Sequence, residues 1–121
     1  MFLATTNKVK RLLYLRFVGK VRVEELQQSR EELNLLLADL PAGFRVLTDL
    51  SGLQSMELAC GAEISRMMEI LDRKGVSSVI RVVPHPQQDI GLNILAAFHY
   101  RHGIRSATCE SLEEAEHLLA G

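Results

Sequence analysis

The amino-acid sequence predicts an α/β fold built around a mostly parallel sheet, and three observations lead to this prediction. Short apolar runs typical of β-strands alternate with longer segments in which apolar residues recur at helical spacing. The helical segments, roughly ten to twenty residues each, are long enough to cross over between parallel strands. Glycine or proline stands at most of the boundaries. We expect a single domain over residues 1–121, with a sheet of about four to five strands, an antiparallel N-terminal edge strand and about four helices.

The first half of the chain contributes the edge strand, one long helix and the central strand. In chain order we predict a weak strand at Phe2–Thr5, a strand at Leu12–Val18, a helix at Val23–Leu40 and a strand at Phe44–Leu50. Alternation along the second of these strands puts Leu13, Leu15 and Phe17 on one face. The helix follows from leucines at helical spacing, and Pro41 and Gly43 end it.

The second half repeats the alternation of helix and strand. In chain order we predict a helix at Glu57–Lys74, a strand at Val76–Val83, a helix at Asp89–Tyr100, a strand at Ile104–Cys109 and a last helix after Ser111. Gly75 ends the first of these helices in the usual C-terminal position. Ser111 and Glu114 form the capping box of the last helix. The apolar stripe of the first helix, which we expect in the core, consists of Cys60, Ile64, Met67, Met68 and Leu71.

Charge and composition limit the classes of function. The formal net charge is −1, so no overall field favours nucleic acid or an acidic membrane surface. No apolar run approaches the ~20 residues that a membrane-spanning helix needs. The N-terminal basic residues follow the first apolar residues, whereas a signal peptide has the opposite order. Two cysteines, Cys60 and Cys109, are too few for a disulfide framework. We expect a cytoplasmic protein that binds no nucleic acid and does not span a membrane.

Side chains capable of catalysis or metal binding are present, but their spacing matches no known site. Asp49 ends a strand, yet Lys20 and its neighbours supply no acidic partner, so we expect the carboxylate to accept N–H bonds from the following turn. His99 and His102 have no third metal ligand beside them. Cys60 lies on the inward stripe, which predicts a buried, unreactive thiol. Neither G-x-G-x-x-G nor a P-loop lysine occurs. We therefore expect no enzyme activity, no metal and no cofactor.

The junction between the central strand and the next helix is the strongest candidate for a functional surface. Residues 44–61 read FRVLTDLSGLQSMELACG, and a helix start of this kind exposes backbone N–H groups. Leu58 and Ala59 lie off the inward stripe of the helix. With Leu53 and Met56 of the preceding loop, they would form an apolar contact patch for a partner or ligand. The alternative is that a neighbouring loop covers Leu58.

Four segments, taken in order, match the pattern of a known family over nearly the whole chain. They are residues 12–21 (LLYLRFVGKV), a strand that runs through R-x-x-G towards a helix; 45–53 (RVLTDLSGL), close to a central D-L-S-x-V strand; 79–83 (VIRVV); and 108–115 (TCESLEEA), a last strand that enters an S-x-E-E-A helix. In order and length these segments resemble the STAS domain, the SpoIIAA-like fold of the anti-sigma-factor antagonists. The resemblance implies a non-catalytic bacterial regulatory module that binds other proteins.

The resemblance also implies that the regulatory serine of the family is missing. Anti-sigma-factor antagonists of the family carry D-[ST]-S-G at the start of the second helix, and a partner kinase phosphorylates the second hydroxyl residue. Here Glu57 stands in place of the Asp, Leu58 in place of the first hydroxyl residue, Ala59 in place of the phosphoserine and Cys60 in place of the glycine. The implied partner is a regulatory protein such as an anti-sigma factor or a related kinase. The residues that we expect to contact it are Ser51, Leu53, Met56, Glu57, Leu58 and Ala59.

A second interpretation of the same fold is a small-molecule or lipid-binding domain. Leu53, Met56, Leu58 and the predicted helix at residues 90–98 would line its pocket. The polar groups available to orient a ligand there are Asp49, Ser55, His85 and His99. A homodimer is compatible with either interpretation.

Overall fold

Five strands form the central sheet of the structure, a computed structural model that describes residues 1–83 and 104–120. In spatial order they are β1 (Phe2–Asn7), β2 (Leu12–Phe17), β4 (Arg45–Asp49), β6 (Ser78–Val82) and β7 (Arg105–Cys109). β1 is antiparallel to β2, and the other neighbours are parallel. The predicted α/β fold with a mostly parallel sheet and an antiparallel edge strand is therefore confirmed.

A second, two-stranded sheet was not predicted. β3 (Gly19–Val21) and β5 (Leu53–Met56) pair in parallel, although the sequence pattern indicated a loop for residues 51–56. Gly19 makes this pairing possible, because its φ of +70° turns the chain out of β2. Its N–H then donates to the carbonyl of Gly52 at 2.9 Å. The prediction of a loop was wrong because the partner strand lies far away in sequence and has only three residues.

The helices of the described part of the chain are α1 (Val23–Gln28), α2 (Arg30–Ala38), α3 (Cys60–Arg73) and α4 (Leu112–Ala120). The prediction of one continuous helix at Val23–Leu40 was wrong, because the helix is interrupted at Ser29. The Ser29 hydroxyl donates a 2.8 Å hydrogen bond to the carbonyl of Glu25, which competes with the helical backbone pattern. The helix predicted at Asp89–Tyr100 lies outside the described residues.

The structure confirms the predicted C-terminal end of α3 but not its predicted start. Gly75 ends the helix with a φ of +94°, and the N–H of Val76 donates to the carbonyl of Leu71 at 3.2 Å, which is the bond of a Schellman motif. The start at Cys60 comes three residues later than the predicted start at Glu57, because residues 57–59 form a separate turn. The predicted inward stripe of the helix is buried throughout.

Apolar side chains form two clusters on opposite faces of the sheet. The larger cluster joins the inward face of β2, including Leu13 and Phe17, to the buried leucines of α1 and α2 and the stripe of α3. The smaller cluster lies on the other face, where Leu47 and Ile80 meet Ala115 of α4. The predicted cap of α4 is present, since the N–H of Glu114 donates to Oγ of Ser111 at 3.2 Å.

Candidate functional site

The segment Glu57–Ala59 is a short, well-anchored turn between β5 and α3. Its first residue is bonded at three points: the Glu57 N–H donates to the carbonyl of Val21 at 3.2 Å, the Glu57 carbonyl accepts from the N–H of Cys60 at 2.9 Å, and Oε1 of Glu57 accepts from the N–H of Val23 at 2.8 Å. The last bond satisfies a backbone donor at the start of α1. Glu57 therefore fastens the turn to the neighbouring helix.

Leu58 is the exposed apolar group of this turn. Its side chain is 74% exposed, and Ala59 beside it is also exposed. The alternative expectation, that a neighbouring loop covers Leu58, is therefore wrong. The carbonyl of Leu58 accepts a 3.1 Å bond from the N–H of Gly61, so the backbone beneath the side chain is held in place. Leu58 is thus an exposed apolar side chain on a backbone that is held in place.

Leu53 and Met56 do not belong to this surface. Both are buried in the larger cluster as the ends of β5, with exposed fractions of 0% and 8%. The prediction that they contact a partner is therefore corrected: they support the turn from the core side. Residues three apart on a regular strand would face opposite sides, and the irregular register of the β3–β5 pairing between Gly19 and Lys20 accompanies the burial of both side chains. Leu53 and Met56 are thus absent from the exposed surface around Leu58, and the helix predicted at residues 90–98, which would complete the predicted pocket, lies outside the described residues.

Ser51 is exposed but lies apart from Leu58. The two residues flank opposite ends of β5, and a four-residue strand is about 13 Å long. Its hydroxyl is occupied, since Oγ donates to Oδ1 of Asp49 at 2.6 Å. Of the six predicted contact residues, the structure thus brings three together at the surface: Glu57, Leu58 and Ala59.

Asp49 is a buried carboxylate whose two oxygens both have partners. Oδ1 accepts from the backbone N–H of Ser51 at 2.9 Å, which confirms the predicted turn interaction. Oδ2 accepts from the Tyr14 hydroxyl at 3.1 Å and lies 3.7 Å from Nε of Arg16. Burial and the adjacent carboxylate raise the pKa of Tyr14. These contacts fasten the end of the central strand β4 to β2 and to the following turn. The sequence did not predict Tyr14 and Arg16 as partners of Asp49, because only the β2–β4 register puts them beside it.

The thiol of Cys60 is suited to packing and not to nucleophilic chemistry. The residue is fully buried in the larger cluster, with Sγ 3.8 Å from the carbonyl oxygen of Val21. Burial, followed by the nearby carboxylate of Glu57, raises the pKa of the thiol to about 11. The predicted burial of this cysteine is confirmed, and its low reactivity stays a prediction, which the raised pKa supports because little thiolate would form near neutral pH.

A groove between α1–α2 and α3 contains a charged cluster that sequence reasoning missed. At its centre the carboxylate of Glu63, 3% exposed, accepts hydrogen bonds from Nε and Nη2 of Arg30 and from Nη1 of Arg66. The two arginines, with Glu63 bridging them, hold the pKa of this carboxyl below its usual value. One signal was available in the sequence: Glu63 lies three residues after Cys60, on the inward side of an apolar helix, where a carboxylate requires a cationic partner.

The part of the chain that the structure describes lacks two classes of site. Residues 1–83 and 104–120 contain no group of three or more His, Cys, Asp or Glu side chains that could hold a metal ion. None of the helices in these ranges has the length and apolar character needed to cross a membrane. His99 and His102, the predicted pair without a third ligand, lie outside the described residues.

Comparison with known proteins identifies the fold. No protein-family model matches the sequence, and no curated protein matches it significantly. Among solved structures, the chain is similar to the anti-sigma factor antagonist SpoIIAA in its unphosphorylated form, with a TM-score of 0.65 and 15% identity over 100% of this chain and 99% of that chain. It is also similar to an uncharacterized DUF3478-family protein with a SpoIIAA-like fold from Shewanella loihica PV-4, with a TM-score of 0.68 and 16% identity over 98% and 92%. At these identities the similarity shows the fold alone: the chain has the SpoIIAA-like, or STAS-like, fold.

Proposed function

We propose that this protein is a non-catalytic regulatory module that binds another protein through the turn Glu57–Ala59. The observation that carries the proposal is the exposed side chain of Leu58 on an anchored backbone. Complete burial of one leucine at an interface is worth about 1.5–3 kcal/mol, which is the scale of a binding hot spot. Because the turn is already ordered, little conformational entropy is lost when a partner covers it.

The nature of the partner is inferred from the fold. The similarity to SpoIIAA, an anti-sigma factor antagonist, supports an anti-sigma factor or a related kinase as the binding protein. Two buried, unpaired thiols, Cys60 and Cys109, support a cytoplasmic location, where thiols stay reduced, and the SpoIIAA-like fold supports a bacterial origin. The proposed interaction is constitutive, since Leu58, Ala59 and Cys60 provide no hydroxyl group at the position where this fold family is phosphorylated.

The absence of catalysis is part of the proposal. Within residues 1–83 and 104–120, the buried acidic side chains serve structural contacts, Asp49 with Ser51 and Tyr14, and Glu63 with two arginines. Neither carboxylate faces an exposed nucleophile that lacks another role. The set of residues available for a ligand pocket near Leu58 is also smaller than predicted, because Leu53 and Met56 lie in the core.

Substitution of Leu58 tests the proposed function. Leu58→Glu places a charge in the contact and removes its apolar area, so we expect partner affinity to fall roughly tenfold to a hundredfold. The measurement is affinity purification from the source organism with quantitative mass spectrometry, followed by titration of the purified partner.

Leu35→Glu is the matched control. Leu35 is 71% exposed on α2, so this variant introduces the same charge at an equally exposed leucine away from the turn. It should retain the partner that Leu58→Glu loses. Retention of the partner by both variants would place the interface elsewhere on the molecule.

A further inference from the structure

The groove between α1–α2 and α3 combines apolar walls with a charged rim. Its volume is about 220 Å³, and Phe2, Leu33, Met67 and Ile70 provide apolar surface. Phe2 is held against Phe17 with ring centroids 4.8 Å apart, so this wall is fixed by the core. Neither Leu58 nor Ala59 lines the groove, which makes it a site separate from the proposed protein contact.

The charged side chains that line the groove carry a net charge of +1. Three arginines line it, Arg30, Arg66 and Arg73, together with two carboxylates, Glu63 and Glu69. Glu63 already accepts hydrogen bonds from the first two arginines. These guanidinium groups are still about half exposed, at 47% and 63%, and each keeps N–H donors that Glu63 does not use.

Arg73 is the cation of this rim that remains available. No carboxylate in residues 1–83 and 104–120 lies within ion-pair distance of it. A guanidinium at the edge of an apolar groove favours an anionic group whose apolar part can enter the groove.

From this charge complementarity we propose that the groove binds a small amphiphile with a single carboxylate and a short acyl or aryl body. The carboxylate pairs with Arg73 and neutralises the excess charge. The apolar body packs on Met67 and Ile70. The volume suits a ligand of about ten to a dozen non-hydrogen atoms, smaller than the usual drug-sized ligand.

Octanoate is the probe for this proposal. Calorimetric titration below its critical micelle concentration should show saturable binding, with octanol and octylamine at least tenfold weaker because they lack the anion. Methyl shifts in NMR spectra should concentrate on Met67 and Ile70. Equal binding of octanol, or shifts confined to other methyl groups, would overturn the proposal.

Substitutions at the rim distinguish an effect of charge on binding from an effect on folding. Arg73→Gln should weaken octanoate binding about tenfold and leave octanol unchanged, since it removes one charge-assisted hydrogen bond at an exposed position. Lys74→Gln removes the adjacent charge, which does not line the groove, and should change neither. Ile70→Trp fills the groove and should weaken both ligands, with thermal unfolding as the check on folding.

Two further outcomes would overturn the proposal. Unchanged octanoate binding by Arg73→Gln would show that Arg73 does not bind the carboxylate. Co-sedimentation with vesicles of phosphatidylglycerol and phosphatidylcholine, in the absence of binding to free octanoate, would assign the positive rim to a lipid surface and overturn the carboxylate ligand.

Discussion

At the scale of single residues, Glu63 connects two helices through a buried carboxylate. It lies on α3 and accepts from Arg30 at the start of α2 and from Arg66 one turn further along α3. A carboxylate at 3% exposure is tolerated only because these donors replace water. The contact therefore fixes the spacing of the helices that form the groove.

Removal of this charge tests its contribution to stability. Glu63→Gln should lower the free energy of unfolding by about 1–2 kcal/mol, the scale of hydrogen bonds to charged groups, since the arginines remain partly in water. Glu69→Gln is the matched control, because Glu69 is an exposed carboxylate on the same helix without an ion pair among the described residues, and it should change stability by less than about 0.5 kcal/mol. Urea unfolding of the three proteins provides the comparison.

The pH dependence of that difference gives a second readout. The folded-state pKa of Glu63 lies below its ordinary value of 4.5, so its stabilisation is complete above that value and disappears as the pH falls through the lower, folded pKa. The difference between the wild-type protein and Glu63→Gln should thus be constant at neutral pH and shrink in acid. A difference that is the same at every pH would show that packing, and not the ion pair, is responsible.

At the scale of elements, the C-terminal end of α3 requires glycine for two reasons. Gly75 has a φ of +94°, and a Cβ there would lie 2.9 Å from Cβ of Ala42. Its carbonyl also accepts from the N–H of Gly43 at 2.7 Å, which brings the two loops together. The end of the helix and the entry to the central strand therefore depend on each other.

A pair of glycine substitutions tests this dependence. Gly75→Ala should destabilise the protein by about 1–3 kcal/mol, because it combines a strained φ with a steric contact. Gly61→Ala, in the first turn of the same helix, meets nothing within 4 Å and should be neutral or stabilising by up to about 1 kcal/mol. Thermal and urea unfolding measure both. Equal effects of the two variants would contradict the proposed strain at Gly75.

At the scale of the whole molecule, the two apolar clusters share one sheet. β4 contributes Val46 to the larger cluster and Leu47 to the smaller, and β6 contributes Val79 and Ile80 in the same way. Loss of either cluster exposes one face of the same central strands. Unfolding of the two layers should therefore be cooperative.

The two cysteines report on this cooperativity, since each cluster contains one. Burial raises the pKa of both thiols, to about 11 for Cys60, so neither should react with iodoacetamide at neutral pH in the native protein. In urea, alkylation of Cys60 and Cys109 should begin over the same concentrations at which far-UV circular dichroism is lost. Reaction of Cys109 at a lower urea concentration would show that the α4 layer opens independently.

Much of the fold was predictable because it depends on local patterns. Alternation along residues 12–18, helical spacing of leucines after Val23 and the glycine at position 75 correspond to strand, helix and helix end in the structure. These signals arise from contacts within one element and from which side of it is buried. The break at Ser29 was missed because the leucine spacing continues across it, and the backbone bonds from Ser29 to Glu25 and from Leu33 to Ser29 keep the helical pattern on either side.

The candidate site was predictable only in part, and the physical reason is the length scale of the contacts. The sequence by itself determined the α/β class, the inward stripes and the absence of a hydroxyl at residues 57–61. The tertiary structure decided which apolar residues near the junction are exposed: pairing of β5 with β3 buries Leu53 and Met56, and Leu58 alone of the three stays outside. It also decided that Tyr14 pairs with Asp49 and Arg30 with Glu63, because these two contacts join residues more than thirty positions apart, and no pattern within a single segment contains that information.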